Sequence, residues 1–156
     1  MKNLLLFFAF IIFTLLELLW PNFLCFFSCK PDWLLVFAVS LTFYSDFKIA
    51  LSFGILSGFV KDAFLPWNWP INTFCFALWI YLIWRLSRQI STEENYVRLA
   101  LISAAAVLNN LAIGLQGIVL GNLTPAGIFM RNLIIISSYT TLISPLVFKL
   151  TKRITA

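Results

Sequence analysis

Histidine is absent from this sequence, and only 11% of its residues are charged. The first absence removes the commonest metal ligand, a histidine general base and any Ser-His-Asp triad. The second separates the chain from soluble domains, in which about 25% of residues are charged. Cysteine is limited to Cys25, Cys29 and Cys75. With no C-x-x-C pair and an odd count, these read as lipid-facing or packed thiols rather than a disulfide framework. No P-loop, H-E-x-x-H or G-x-S-x-G pattern is present, and no nucleophile-base pair is visible, so catalysis is unsupported. What fills the chain instead is apolar: 62% of 156 residues, with a mean hydropathy of +0.96. A chain of about 150 residues leaves roughly 30% of its unfolded surface exposed, too much to hide this composition from water. The net charge of +5 is scattered between apolar blocks and forms no stripe for nucleic acid. The expectation is one integral membrane domain over residues 1–156, an all-α polytopic bundle.

Six apolar blocks are separated by charged or proline-containing breaks: Leu4 to Trp20, Trp33 to Tyr44, Ile49 to Leu65, Ile71 to Trp84, Val97 to Leu120 and Ile128 to Leu150. The second and fourth are short for a hydrocarbon core that takes ~20 residues to cross, so five spans is the alternative count. The opening resembles a signal peptide, but Glu17 interrupts the apolar run and no A-x-A site follows, so the first segment is expected to be retained. With six spans and a cytoplasmic N-terminus, the inner loops and tails carry Lys2, Lys48, Arg85, Arg88, Arg98, Lys149, Lys152 and Arg153. The outer set is then Lys30, Lys61 and Arg131. That bias predicts both termini in the cytoplasm. Ser91 and Glu94 have capping-box spacing, which predicts a fifth helix starting near Thr92. The cytoplasmic loop holding them is a surface for anionic lipid or a partner. Pro66-Trp-Asn-Trp-Pro70 and Asn122-Leu-Thr-Pro-Ala-Gly127 make small outer turns.

Charges inside the blocks carry the information, because each costs a few kcal/mol unless it is paired or reaches the interface. Glu17, Asp62 and Arg131 fall at one depth near the outer side. An ion pair of Arg131 with Asp62 or with Glu17 is expected; the alternative is that each reaches the headgroups separately. Gly54, Gly58 and Asp62 stand four residues apart and form one helical stripe, along which another helix can approach closely. That stripe packs either inside this chain or against a partner. Asn109, Asn110 and Gln116 in span five either hydrogen-bond across helices or line a pocket. A proton relay needs ionisable groups reaching the inner side, and the inner halves of the spans have none.

At span three, Gly54-Ile-Leu-Ser-Gly58-Phe59-Val-Lys-Asp62 resembles the G-x-x-x-G-F/L-x-x-D stretch of the MreD family of rod shape-determining membrane proteins. Pro31-Asp32 opening span two, Glu17 closing span one, and Arg131 beginning a last span with Pro145 late in it are similar to that family. Pro70 stands where the family commonly has glycine, and Asn109 and Asn110 stand where an acidic residue is common. The resemblance implies about six short helices, similar to the substrate-binding subunits of energy-coupling-factor transporters. It also implies a non-enzymatic, cofactor-free role in the inner membrane of a bacterium, within the cell-elongation and peptidoglycan-synthesis machinery. MreC would be the direct partner, alongside MreB, RodZ, and RodA with its transpeptidase. The residues for docking or bracing would be Glu17, Gly54, Gly58, Asp62 and Arg131. The rival reading is a small-solute-binding transporter subunit with a polar pocket near Asn109, Asn110 and Arg131.

Overall fold

The computed structural model describes residues 2–21, 25, 29–64, 69–90, 94–121 and 125–155. Among them the regular structure is helical: α1 (Lys2–Leu19), α2 (Trp33–Tyr44), α3 (Phe47–Ala63), α4 (Ile71–Ser87), α5 (Asn95–Val119) and α6 (Ala126–Thr155). These correspond to the six apolar blocks. By length and composition alone, α5 and α6 are long and apolar enough to cross a membrane, and α1, α2 and α4 are shorter apolar helices. The start of α5 differs from the expected position: the helix begins at Asn95, with extended Glu94 before it making no side-chain cap bond. Ser91, Thr92 and turn residues 66–68 and 122–124 lie outside the described residues.

α2 is the axle of the bundle. Its apolar residues run all the way round the helix, a pattern that fits a helix covered on every side or one that faces lipid, and the packing decides for the first. Trp33 through Thr42 are all buried, and α2 touches each of the other five helices. Phe13 of α1 stacks on Phe37 with ring centroids 4.9 Å apart, and Phe53 of α3 meets the same ring edge-on at 6.1 Å.

Apolar side chains on the outside mark the other faces. Leu4, Phe8, Ile12 and Leu19 of α1, Phe74 of α4 and Leu142 of α6 are all more than half exposed. Several polar groups turn inward and pair across helices. Ser40 of α2 and Thr151 of α6 share a hydrogen bond of 2.8 Å, and Asn110 of α5 donates to Ser137 of α6 at 3.3 Å. Pro145 cannot donate to the Thr141 carbonyl within α6, and the Ser144 hydroxyl does so instead at 2.7 Å.

Helices consecutive in the chain alternate in direction. At one end, Tyr44, Asp46, Leu6 and Thr155 line one cleft, and Phe47 packs on Trp84 at 4.6 Å. The start of α1 and the end of α6 therefore meet there. Glu17, Lys30, Asp32, Lys61 and Asn72 gather at the opposite end.

Candidate functional site: a charged cradle for two helix starts

The first N–H groups of a helix have no partner within it and need acceptors. α4 follows Pro70, which offers no side-chain cap. The missing acceptor comes from α3. Asp62 Oδ1 accepts from the backbone N–H and the side-chain amide of Asn72, both at 3.0 Å. Its Oδ2 accepts from the Thr73 backbone N–H at 2.8 Å and from the Thr73 hydroxyl at 2.6 Å. A carboxylate in the last turn of a helix is poorly placed against its own dipole. Here the positive end of α4 reverses that penalty. Gly58, one turn earlier, gives α4 room: a Cβ there would lie 2.5 Å from Thr73 Cα and 2.7 Å from the Asn72 carbonyl oxygen. Gly54, a further turn back, would press only on the Ile80 side chain and Ala38 Cβ. The Gly54/Gly58/Asp62 stripe is thus occupied by α4 of the same chain.

The start of α2 is treated the same way. Asp32 Oδ1 caps it by accepting from the Leu35 N–H at 2.9 Å, and Glu17 of α1 accepts from the Trp33 N–H at 2.9 Å. The Asp32 N–H donates to Thr140 Oγ1 of α6 at 3.0 Å. Asp32 Oδ2 takes the Lys61 ammonium at 2.5 Å, with side-chain exposures of 3% and 16%, so this is a buried pair. Lys30 donates to the Glu17 carbonyl at 2.7 Å and stands 3.8 Å from its carboxylate. Acids near the ends of α1 and α3 each hold the beginning of the next helix. Lys61, next to Asp62 but about 100° round the helix, ties the two systems together.

The structure brings Gly58 and Asp62 together on α4, and Glu17 onto α2. It does not bring Arg131 to either carboxylate. Arg131 is exposed at the start of α6, and its guanidinium meets Asn132 Oδ1 at 3.4 Å. Among the described residues, the ion pairs are Lys61–Asp32 and Lys30–Glu17. The expected brace through Arg131 is thus replaced by one through two lysines. Helix starts compete for the same carboxylates, and four N–H and O–H donors already occupy Asp62. In the sequence Asp32 marks the opening of span two and Lys61 an outer charge; their pairing depends on how α3 lies against α2. Nearby, Cys29 is 4% exposed and its sulfur contacts Asn132 Oδ1 at 3.4 Å. Burial pushes its thiol pKa up, and neighbouring Arg131 opposes that.

Behind the charges lies a half-open cavity of about 250 Å³ to which all six helices contribute. Its polar lining is Glu17, Lys30, Asp32, Lys61, Asn72 and Asn110, with Leu34, Val60, Ile113 and Ile136 as apolar wall. Neither Asn109 nor Arg131 lines it. Asn72 is fully buried and its Oδ1 has no hydrogen-bond partner. Asn109 is also fully buried with both amide atoms unpartnered, so the expected cross-helix bond is made by Asn110 and not by its neighbour. Among the described residues, no group of acids and cysteines is arranged to hold a metal ion.

The family model described as rod shape-determining protein MreD matches residues 1–154, nearly the whole chain. This chain belongs to the MreD family. Its members are rod shape-determining membrane proteins, and the glycine-to-aspartate stretch that suggested the resemblance is the part of α3 that receives α4. No curated protein and no solved structure matches the chain. The likeness to energy-coupling-factor subunits accordingly rests on the family resemblance alone.

Proposed function

We propose that this MreD-family protein is a non-enzymatic, six-span component of the bacterial inner membrane that binds MreC and joins it to MreB, RodZ and the wall synthases. The observation that carries the reading is the family match across residues 1–154. The geometry supports it in two ways. Charged groups at the end opposite the start of α1 are engaged in holding helix starts together. The end where α1 starts and α6 ends also carries Lys48, Arg85, Arg88, Arg98, Lys149, Lys152 and Arg153, the sign expected of a cytoplasmic face.

Of the five residues expected to dock or brace, Glu17, Gly54, Gly58 and Asp62 have partners inside the bundle, and Arg131 presents its guanidinium outward. Arg131 is therefore our candidate contact to MreC on the outer side, where a planar guanidinium suits a carboxylate or a backbone carbonyl. The test is co-purification of MreC from native membranes. Wild type should retain MreC, and Arg131→Ala should lose it while inserting and unfolding like wild type. Failure of the wild-type chain to retain MreC would overturn the proposal; full retention by Arg131→Ala would remove this residue from it.

A second reading has one observation in its favour: the cavity with the orphaned Asn72 acceptor. In that reading the protein binds a small amine or zwitterion between Asn72 Oδ1 and Glu17. A thermal-shift screen of small amines and zwitterions should then give a hit abolished by Asn72→Leu. A screen without such a hit excludes it.

A further inference from the structure

At the end of the bundle where α1 starts and α6 ends, the last residue of α2, the first turns of α5 and the later part of α6 line a groove of about 440 Å³. Its apolar lining is Leu99, Pro145 and Phe148. Its rim is cationic and polar: Asn95 and Arg98 at the start of α5, and Lys149 and Lys152 on consecutive turns of α6. Arg98 is oriented by Tyr44, donating to its hydroxyl at 2.6 Å with the guanidinium carbon 5.2 Å from the ring centroid. Lys149 and Lys152 are exposed and have no carboxylate within ion-pair distance among the described residues. Asp32 and Glu17, the carboxylates that do hold lysines, belong to the far end. Glu94, one residue before Asn95, and Asp46, two residues after Tyr44, are the described acids nearest the lining in sequence.

We infer that this groove is a binding site for the headgroup phosphate of an anionic phospholipid, with Lys149 and Lys152 as its cationic ligands and Leu99, Pro145 and Phe148 as the wall for the first acyl carbons. Charge complementarity and the joining of a cationic rim to an apolar trough select the occupant. A soluble anion would use the rim and leave the trough wet, whereas a phospholipid matches both. Basic pockets between membrane helices on the cytoplasmic side recognise anionic lipid in this way. The first N–H groups of α5, at the same rim, add their partial positive charge. The inference rests on the membrane placement but not on MreC binding, so either can fail alone.

The experiment uses the full chain purified in neutral detergent, read by thermal unfolding and by native mass spectrometry. Phosphatidylglycerol or cardiolipin in the micelle should raise Tm by ~4 °C and leave one lipid bound. Phosphatidylcholine at the same level, and inorganic phosphate without lipid, should do neither. K149Q/K152Q should lose both effects, and K48Q, at the same end of the bundle but outside the groove, should keep them. If the double variant does not fold, each single lysine variant should weaken lipid retention and K48Q should not. An undiminished shift in K149Q/K152Q, or in both single variants, overturns the proposal. An equal shift with inorganic phosphate overturns the lipid as the source. A shift produced only by an acidic peptide, and by no anionic lipid, assigns the groove to a protein partner and equally overturns it.

Discussion

Replacing Gly58 by alanine should destabilise the isolated protein, with no partner present. An added methyl would stand 2.5 Å from Thr73 Cα and 2.7 Å from both Thr73 N and Asn72 O. Non-bonded carbon contacts settle at ~3.5–4.0 Å, so the first turn of α4 must withdraw by roughly 1 Å. Those atoms are backbone and cannot rotate away. Overpacking of this kind costs about 1–3 kcal/mol. Withdrawal also stretches the bonds from Asn72 and Thr73 to Asp62, now 2.6–3.0 Å long. Charge-assisted bonds contribute about 1.5–3 kcal/mol each, so weakening one of the set adds about 1 kcal/mol. Alanine returns about 1 kcal/mol of helix propensity over glycine. The net expectation is a loss of about 1–3 kcal/mol. Gly54→Ala is the internal control. Its methyl meets the movable end of Ile80, where a rotamer shift of about 0.5–1.5 kcal/mol is balanced by the same propensity gain. The assay is denaturant unfolding of the purified chain in detergent micelles, comparing both variants with wild type. A Gly58→Ala protein as stable as wild type, or a Gly54→Ala protein that suffers more, would refute the account of α3 as the seat of α4.

Further expectations concern the charges. Lys61→Met strands the Asp32 carboxylate, which is 3% exposed, and should cost about 3–5 kcal/mol, while Lys61→Met with Asp32→Asn should recover much of that; unfolding midpoints decide it. A double-mutant cycle between Asp62 and Arg131 should give a coupling within about 0.5 kcal/mol of zero, because the two side chains share no partner; a coupling above about 1 kcal/mol would restore the direct pair. Asp62→Ala should destabilise by about 2–3 kcal/mol, with Asp62→Asn intermediate, and hydrogen exchange should show the loss first at the amides of Asn72 and Thr73. With Cys25 and Cys75 replaced by serine, Cys29 should alkylate slowly at neutral pH. Its raised pKa keeps the thiol protonated there, so the rate should climb only at more alkaline pH than for an exposed thiol; full reactivity at pH 7 would contradict its burial.

The apolar blocks and the breaks between them gave the order and rough extent of the helices, with five or six spans left open, because in a chain this poor in charge a cluster of charged or proline residues is the usual place for a helix to end. The Gly54, Gly58 and Asp62 spacing announced one face of span three used for close approach. Composition likewise determined that catalysis by histidine or by a recognised motif was out of reach. Which helix would fill that face, and which cation would answer which carboxylate, could not be read along the chain. Depth assigned Glu17, Asp62 and Arg131 to one level, but a level is a ring, and only rotation and packing choose neighbours around it. The tertiary structure turned Asp62 to the start of α4 and Lys61 to Asp32, and left Arg131 outside. The physical reason is that unpaired helix N–H groups in an apolar bundle need acceptors within hydrogen-bond reach, and the carboxylates available went to them first.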